Sequence, residues 1–442
     1  MKKIYRLLLL ALVLACLFAT AAFASDYDDV AQELKTLGLF QGTQAGFDLD
    51  RAPTRTEAAV MLVRLLGTEN VAKTEYSAGT TSNPFTDVPD WAKPYISWLY
   101  TNNLAKGVSD TVFGANGQCT AKMYCTFVLR ALGYNDTEGD FTFDEAEDLA
   151  EYLGFYDTYM VEDTFLRDHA VAISYRALAA SLNGTDTSLL EKLVKDGAVT
   201  QTSASALLTK IKNYRDYIAV YDKFNSFTAG ASTTNRSFLL TNTKNSGSFT
   251  GSVQNSYKYI ATSNDFQMEF ISNFNDGSTT STIGEWIKDG YYYYKNDTEK
   301  TKEELTESLM DSMFSSGPSS LMPALYQVKS ITVSQTFAGT QYVMTYADDF
   351  DYLSLSNSYW SLGLDPSKVM NHSISKCNFT IVVGGGGIIS SFKKEYACTF
   401  LYNSEGSIMP LSLTDTSEEI INATGSGVYI NFPDFSGFTE VS

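Results

Sequence analysis

The hydrophobic positions of this chain change their period about halfway along. Between residues 26 and 226, apolar residues recur three and four positions apart, which is the spacing of helices with one buried face. Between residues 235 and 442, apolar and polar residues alternate in runs bounded by Gly, Asn, Asp and Ser, which indicates strands. The pattern predicts a multidomain α and α+β protein. Helices come first, and a C-terminal antiparallel β-sheet domain with a few helices follows.

The most strongly marked helix lies in residues 52–67, APTRTEAAVMLVRLLG. Thr54 and Glu57 have the spacing of a capping box, and Gly67 supplies a stop. Arg55 falls in the first turn, where the helix dipole repels a cation. A positive side chain beside free backbone N–H groups indicates an anion site. The alternative is an arginine that faces solvent.

The same stretch recurs twice. Residues 120–133, TAKMYCTFVLRALG, align with it from threonine to glycine, and Phe47 and Phe113 each lie seven residues before the threonine. A weaker copy, LRDHAVAISYRAL, covers residues 166–178 and has Arg167 at the position of Arg55. Each unit is predicted to be a helix, a loop with a turn glycine, and a second capped helix. Such units bury a core only by packing on one another.

The opening of the second unit resembles the S-layer homology (SLH) repeat. It has Asp87 within FTDV, then Trp91, Gly107 and Phe113, while Thr54 to Glu57 match the T-R-A-E element of that family. The resemblance implies a three-repeat, all-α spindle on the surface of a bacterial cell. It also implies binding of a secondary cell-wall polysaccharide, usually through a pyruvylated, negatively charged sugar.

The resemblance also assigns site residues. Arg55 is the main anion ligand, and Thr54 and Glu57 shape the helix start. The family opening in the second unit adds Asp87, Trp91 and Gly107, and Arg167 of the third repeat is a second candidate for the anion ligand. The second repeat has Ala121 in place of the arginine, and the third has Leu166 in place of the capping hydroxyl. We therefore expect one or two of the three grooves to bind.

Segment boundaries follow from these patterns. Residues 1–24 are predicted to be a signal peptide, with a basic start, an apolar run and an A-x-A cleavage site; Cys16 leaves a lipoprotein open as an alternative. The SLH-like repeats cover 25–184, at about 26–67, 85–134 and 141–180. A helical connector covers 185–226, a boundary falls in the small polar stretch 226–234, and the β-rich domain covers 235–442. We expect a secreted protein of the cell wall and cell surface, with no membrane span after signal cleavage.

Charge and cysteine content limit the partners. The formal net charge is −19 and the pI is near 4.5, which argues against nucleic acid and requires any anionic-glycan site to be a local pocket. Cys377 and Cys398 lie on two strand-like runs on either side of the glycines 384–387, so a disulfide between them is possible in an exported protein. Cys119 and Cys125 are predicted to be buried small residues.

The sequence contains no recognisable catalytic motif and predicts a protein that is not an enzyme. It has two histidines, no metal-ligand spacing and no cofactor loop, so no catalytic residue, metal or cofactor is predicted. The acidic residues at 348–351 suggest a solvated face or weak calcium binding. A wall-bound hydrolase remains an alternative that needs two facing carboxylates.

The C-terminal domain has an unknown ligand. Several strands are predicted within it, together with a charged helix over 299–314 and a short helical piece near Tyr359. The run WIKDGYYY at 286–293 faintly resembles curved-sheet domains of exported lipoproteins, which implies a hydrophobic ligand held between sheet and helices. The carrier of such a ligand is an alternative function. The other interpretation of the aromatic residues and methionines, including Met310, Met313, Phe314 and Met322, is an ordinary core.

Overall fold

The computed structural model describes residues 27–42, 46–161, 163–263, 265–314, 325–346 and 364–441, with the side chains of 311–314 and 366 excepted. The predicted signal segment 1–24, Cys16, Met322, the acidic residues 348–351 and the helical piece near Tyr359 lie outside these residues. The side chains of Met313 and Phe314 also lie outside the description. The chain divides into two units, Met1–Leu208 and Thr209–Ser442.

The first unit is helical. The second unit is a sheet with helices, so the chain has the predicted succession of helices and antiparallel strands. The helices are α1 Asp28–Thr36, α2 Arg55–Leu65, α3 Glu69–Ser77, α4 Lys93–Thr101, α5 Ala121–Ala131, α6 Ala146–Tyr152, α7 Arg167–Ala177, α8 Leu189–Lys195, α9 Gln201–Asn225, which crosses the division, and α10 Glu307–Phe314.

The helices of the first unit repeat one local pattern three times. Helices α1, α4 and α6 each end in a turn with a residue of positive φ, namely Gly38, Asn103 or Gly154. The backbone N–H of the next residue then reaches back to the helix, as Leu39 does to the Leu34 carbonyl over 2.9 Å. A loop leads from there to α2, α5 or α7. This is the helix, turn and capped helix predicted for each unit.

The core of this unit lies where the second helices of the repeats meet. In α2, Ala58 and Leu62 are fully buried, and α2 packs against α4, α5 and α7. Gly67 ends the helix with φ +65°, and a Cβ there would come within 2.5 Å of the Ala198 Cβ, so glycine is required for both reasons. Cys119 and Cys125 are buried, as predicted.

The second unit is built on one sheet of twelve strands among the described residues, in the order β12-β6-β5-β4-β3-β2-β1-β11-β10-β9-β8-β7. Every neighbouring pair is antiparallel except β12 and β6. The strands are β1 Ala229–Asn242, β2 Ser248–Ala261, β3 Phe266–Asn275, β4 Thr280–Lys288, β5 Tyr291–Lys295, β6 Lys300–Glu304, β7 Val328–Thr336, β8 Gly339–Tyr346, β9 Val369–Val383, β10 Ile389–Ser404, β11 Ser407–Thr424 and β12 Thr439–Glu440.

One face of this sheet packs against the part of α9 that belongs to the second unit. Tyr217 is fully buried and meets Tyr342 of β8 edge to face, with ring centroids 6.4 Å apart. Tyr221 and Phe224 likewise meet Phe392 of β10 edge to face, at 6.3 and 5.2 Å. The aromatic residues of a single helix therefore fill the core above several strands.

Two local assignments differ from the sequence prediction. The segment predicted as one charged helix over 299–314 begins with strand β6, because Lys300–Glu304 pairs with β5 and only Glu307–Phe314 is helical. Strand β1 begins at Ala229, inside the small polar stretch where the boundary was predicted. In both cases pairing with a neighbouring strand outweighs the local preference of the residues.

The possible Cys377–Cys398 disulfide is not formed. The β9–β10 hairpin forms as predicted, but Cys377 lies opposite Tyr396 and Cys398 lies opposite Ile374, beside a bulge. The two cysteines are diagonal neighbours, which are typically about 7–8 Å apart. A disulfide needs Cα atoms within about 4.4–6.8 Å.

Candidate functional site

The start of α2 carries the capping box predicted from the sequence. The Glu57 backbone N–H donates to the Thr54 hydroxyl over 3.2 Å, and the Thr54 N–H donates to the Glu57 carboxylate over 2.8 Å. Arg51 also donates two bonds to that carboxylate, at 2.8 and 2.7 Å. These bonds, chiefly those from Arg51, lower the pKa of Glu57 to about 2. Glu57 is therefore a charged but internally paired residue that shapes the helix start.

Arg55, the first residue of α2, is buried without a carboxylate partner in the described part of the chain. Its side chain is only 8% exposed, and it donates one hydrogen bond, from Nη2 to the Lys106 carbonyl over 2.9 Å. Its guanidinium carbon lies 5.0 Å from the Phe113 ring centroid and 5.1 Å from that of Phe127. Its Nε–H has no acceptor among the residues described. Burial lowers the pKa of this guanidinium.

Asp87 holds the loop that faces Arg55. Its carboxylate accepts the backbone N–H groups of three successive residues, 113–115, at 2.7, 2.8 and 2.8 Å. Burial opposes ionisation of Asp87, but these three bonds outweigh it and lower its pKa. Because the loop carries the Phe113 ring, Asp87 positions an aromatic wall of the site and is itself satisfied by the protein.

Two glycines, Gly107 and Gly114, allow the loop before α5 to pack closely against Phe85 and Arg55. A Cβ at Gly107 would lie 2.4 Å from both the Phe85 ring and the Ser109 carbonyl oxygen. Gly114 has φ +79°, and a Cβ there would contact the Arg55 Cδ at 3.6 Å. Gly107 is thus required by packing, and Gly114 borders the arginine directly.

The start of α7 repeats the arrangement at Arg167. The Arg55 N–H donates to the carbonyl of Gly117, three residues before the N-cap Thr120, over 2.8 Å. The Arg167 N–H donates to the carbonyl of Arg51, three residues before the N-cap Thr54, over 2.9 Å. The repeats therefore place two arginines against equivalent loops of neighbouring units.

The surroundings of Arg167 match those of Arg55. The side chain is 6% exposed, and Nη2 donates to the Phe47 carbonyl over 3.4 Å. The Phe40 ring centroid is 5.9 Å from its guanidinium carbon, and its Nε–H has no acceptor in the described ranges. Burial, followed by the charge of Arg51, lowers the pKa of Arg167.

A cavity of about 640 Å³ adjoins Phe40 and Phe47, both of which contact Arg167. Lys35 adds a positive charge, with its Nζ 5.5 Å from the Phe47 ring centroid. The cavity is lined by Gln32, Lys35, Gly38, Phe40, Gln41, Gly42, Gly46 and Phe47. The region beside Arg167 is therefore open and carries a basic side chain.

The equivalent position of the second repeat has no guanidinium. Ala121 begins α5 there, and it is buried. The next residue, Lys122, contacts the ring of Phe143 at 5.7 Å and the carboxylate of Asp144 at 3.2 Å. The structure thus has two arginine positions in three repeats.

The predicted site residues fall into separate groups. Thr54, Arg55 and Glu57 share the start of α2 with the loop that Asp87 and Gly107 support, and Arg167 belongs to the second junction. Trp91 lies in a 3-10 turn, Asp90–Ala92, with its side chain 56% exposed. Residues not assigned from the sequence are those that contact the two arginines, namely Phe40, Met61, Lys106, Gly114 and Phe127, together with Lys35 in the cavity lining. The seven-residue spacing of Phe47 and Phe113 from the threonines was the available signal.

His169 takes the place of the capping glutamate in α7. Its Nδ1 accepts the Leu166 backbone N–H over 3.0 Å, which requires a neutral ring with its proton on Nε2. Burial lowers the pKa of His169, although the charge of Asp168 opposes that shift. The histidine is therefore a structural cap of α7.

The second unit contains an apolar cavity of about 400 Å³. Its walls come from α9, α10 and the sheet, and most of the lining side chains are aromatic or aliphatic. The lining residues are Tyr221, Phe224, Asn225, Gly230, Ala231, Ser232, Tyr257, Tyr259, Phe266, Met310, Phe379, Phe392, Glu419, Ile421 and Thr424.

No group of three or more His, Cys, Asp or Glu side chains in the described ranges is arranged to hold a metal ion. No helix in those ranges is both long enough and apolar enough to span a bilayer.

Comparison with known proteins gives one family-model match within the first unit and several partial matches to cell-surface proteins. Residues 84–120 match the family model for the S-layer homology domain. The chain is 32% identical over 150 residues to the middle cell wall protein of Brevibacillus brevis, covering 30% of this chain and 14% of that protein. It is 31% identical over 128 residues to a cell surface protein of Thermoanaerobacter kivui, covering 27% of this chain and 16% of that protein.

A surface layer protein of Brevibacillus choshinensis is 32% identical over 148 residues, covering 30% of this chain and 13% of that protein. The chain thus spans 13–16% of the length of these relatives. Among solved structures, LprF from Mycobacterium bovis matches 51% of this chain and 98% of its own, with 7% identity and a TM-score of 0.26. A TM-score at this level does not establish a common fold.

Proposed function

We propose that this chain, a secreted cell-wall protein that carries an S-layer homology domain, is anchored by anionic groups of a secondary cell-wall polysaccharide. Pyruvylated sugars are the proposed ligands, and Arg55 and Arg167 are the proposed cationic contacts. The three N-terminal repeats would then form the spindle that this family uses, with two binding grooves. The C-terminal sheet unit is displayed at the cell surface.

The observation that carries the proposal is the state of the two arginines. Each arginine is more than nine-tenths buried as a residue, and its guanidinium lies against aromatic rings (Phe113 and Phe127 for Arg55) or one ring and a sulfur (Phe40 and Met61 for Arg167) and bonds one backbone carbonyl. Taking a cation out of water costs several kcal/mol unless an anion compensates for it. The cation–π contacts recover about 0.5–2 kcal/mol each. A carboxylate on the ligand would supply the missing compensation.

The surroundings favour a carboxylate attached to a sugar. A planar guanidinium matches a carboxylate through two parallel hydrogen bonds, and the neighbouring helix start adds a positive dipole end. Aromatic rings beside each arginine offer apolar faces to a sugar ring or to the methyl group of a pyruvyl ketal. Because the chain carries a net charge of −19, attraction to an anion depends on these local groups.

The test is sedimentation of the purified chain with cell walls, before and after removal of the pyruvyl groups. We expect binding only to the untreated walls. A single Arg55→Met or Arg167→Met change should weaken binding about 10- to 100-fold, because a charge-assisted contact of ~1.5–3 kcal/mol is lost.

The matched control is Lys93→Met, which removes an exposed cation of the same unit that pairs with Asp90. It should bind normally. Equal binding to treated and untreated walls, or full binding by the double arginine variant, would refute the proposed mode.

A second candidate function is the carriage of a hydrophobic ligand by the sheet unit. The apolar cavity of about 400 Å³ supports it, because that volume lies within the range of small-molecule sites. A purified chain that binds no alkyl-chain amphiphile of any head group would eliminate this candidate without affecting the wall-binding proposal.

A further inference from the structure

The cavity of the sheet unit has aromatic walls on several sides. Tyr221 and Phe224 of α9 meet the Phe392 ring on one side. Tyr257 and Tyr259 of β2 lie side by side on the other, with ring centroids 5.8 Å apart and planes 30° apart. Met310 of α10 completes the lining. Rings that surround a cavity present negatively charged π faces to a cationic ligand.

One acidic side chain, that of Glu419, lies in this aromatic lining. On β11 it is paired with Phe392 of β10 and with Thr234 of β1. It makes no ion pair with any residue in the described ranges, whereas Glu395 on the neighbouring strand pairs with Lys376 and Lys393. The cavity therefore contains an uncompensated carboxylate.

The negative charge of Glu419 contributes to the raised pKa values of two tyrosines in the cavity lining. Burial raises the pKa of Tyr257 to about 12, and the neighbouring Tyr259 and Glu419 add to that shift. Burial also raises the pKa of Tyr221, with Glu419 among the contributing charges. The carboxylate is therefore close to rings on both walls of the cavity.

The basic side chains on the same face of the sheet are already engaged. Arg236 donates to Asp415 at 3.0 and 2.9 Å, and Lys394 contacts the same carboxylate at 3.4 Å. The same row of paired residues includes Asn255 of β2, which faces Thr234 of β1. Its buried Oδ1 receives no hydrogen bond from the described residues. The cavity face thus offers acceptors and negative charge.

We propose that the cavity binds a cationic amphiphile, with its alkyl chain against the aromatic walls and its ammonium group beside Glu419. This inference rests on the second candidate function, the carriage of a hydrophobic ligand, and specifies the charge of that ligand. A single carboxylate within aromatic walls disfavours anionic head groups by repulsion and favours quaternary or primary ammonium groups by direct attraction.

The experiment compares three probes with the same chain length below their micelle concentrations: dodecyltrimethylammonium, dodecyl maltoside and dodecyl sulfate. Binding to the purified full chain is measured by isothermal titration calorimetry. We expect the ammonium probe to bind at least about tenfold more tightly than the maltoside. Binding of the sulfate should be the weakest of the three.

Three variants locate the effect. Glu419→Gln should remove the preference for the cation while leaving maltoside binding unchanged. Glu418→Gln is the matched control, because this neighbouring glutamate alternates to the opposite face of β11 and is exposed. Ile421→Trp fills the cavity and should abolish binding of all three probes.

The outcomes separate the two claims. Equal affinity for the ammonium and maltoside probes, or an undiminished cation preference in Glu419→Gln, would overturn the proposed charge selectivity and leave the carrier function standing. Absence of binding by all three probes, or binding that survives Ile421→Trp, would overturn both.

Discussion

The two units of this protein bury arginine in opposite ways. In the sheet unit, Arg236 donates two bonds to Asp415, whose side chain is 0% exposed, and Lys394 contacts the same carboxylate. In the helical unit, Arg55 and Arg167 are buried and contact ring faces, backbone carbonyls and, for Arg167, the Met61 sulfur, with no carboxylate bonded to either among the described residues. Arg236 is thus paired with a carboxylate, whereas Arg55 and Arg167 have no carboxylate partner among the described residues.

The helical unit itself contains both kinds of arginine. Arg64 of α2 pairs with Glu69, and Arg130 at the same repeat position of α5 pairs with Asp136. Gln41 and Lys106, each just before the turn glycine of its repeat, also donate to these carboxylates: Gln41 to Glu69 and Lys106 to Asp136. Arg64 and Arg130, near the ends of their helices, are therefore structural. The ligand-binding role proposed above belongs to the arginines at the helix starts.

The largest effect is expected from removing the carboxylate of Asp415, which pairs with Arg236 and Lys394. Asp415→Asn would leave Arg236 and Lys394 facing each other without a carboxylate, so the free energy of unfolding of the sheet unit should fall by about 3–5 kcal/mol. Urea denaturation followed by tyrosine fluorescence measures this change. A loss below about 1 kcal/mol would mean that the ion group contributes no more than a surface pair does.

The next effect compares two arginines of the same unit. Arg130→Met should lower the free energy of unfolding by about 2–3 kcal/mol, because Asp136 loses its bidentate partner. Arg55→Met should leave stability unchanged or raise it, because a buried cation is replaced by an apolar side chain. Thermal unfolding of both variants provides the measurement. A greater loss of stability in Arg55→Met than in Arg130→Met would contradict the division.

A smaller loss is expected at Asp87. Asp87→Ala removes three hydrogen bonds from the 113–115 loop and should cost about 2 kcal/mol. Because folding lowers the pKa of Asp87, its contribution is present above the unfolded value of about 3.9 and is lost as the pH falls through the folded value. The variant should therefore lose stability less steeply than the parent below about pH 4. Parallel acid-denaturation curves would refute this role.

The smallest effect concerns the cap of α7. Burial lowers the pKa of His169 in the folded state, so its stabilising bond is present above the unfolded value near 6.5 and is lost as the pH falls below it. His169→Gln retains an acceptor at every pH. It should remove about 1 kcal/mol of pH dependence between about pH 6.5 and 5.

Circular dichroism melts across that range measure the slope, and His372→Gln is the matched control, since the chain has two histidines and His372 lies in the other unit. An unchanged slope in His169→Gln would remove the capping role.

Local signals in the sequence identified much of the architecture. The capping box at Thr54 formed as predicted, and the Asp-Gly pair at 289–290, a typical turn signal, forms a turn with φ values of +53° and +78°. These features depend on a few adjacent residues. The same is true of the alternating strands on either side of that turn.

Features that depend on distant partners were not predictable. The KTKEE segment of β6 has helical charge spacing, yet its pairing with the tyrosines of β5 makes it a strand. The position of Arg55 in the first turn was visible, but its burial between Phe113 and Phe127 depends on another repeat. The offset of Cys377 from Cys398 depends on the strand register, which pairs Cys377 with Tyr396 and which the alternating pattern does not reveal.

That offset has a chemical consequence for a protein exported to an oxidising environment. Burial raises the pKa of the Cys377 thiol to about 12 and that of Cys119 to about 12 as well. At neutral pH both positions therefore carry the thiol rather than the reactive thiolate. Access for peroxide or for a second thiol is blocked by the same packing. These sulfur atoms are preserved as reduced, inert packing groups outside the cell.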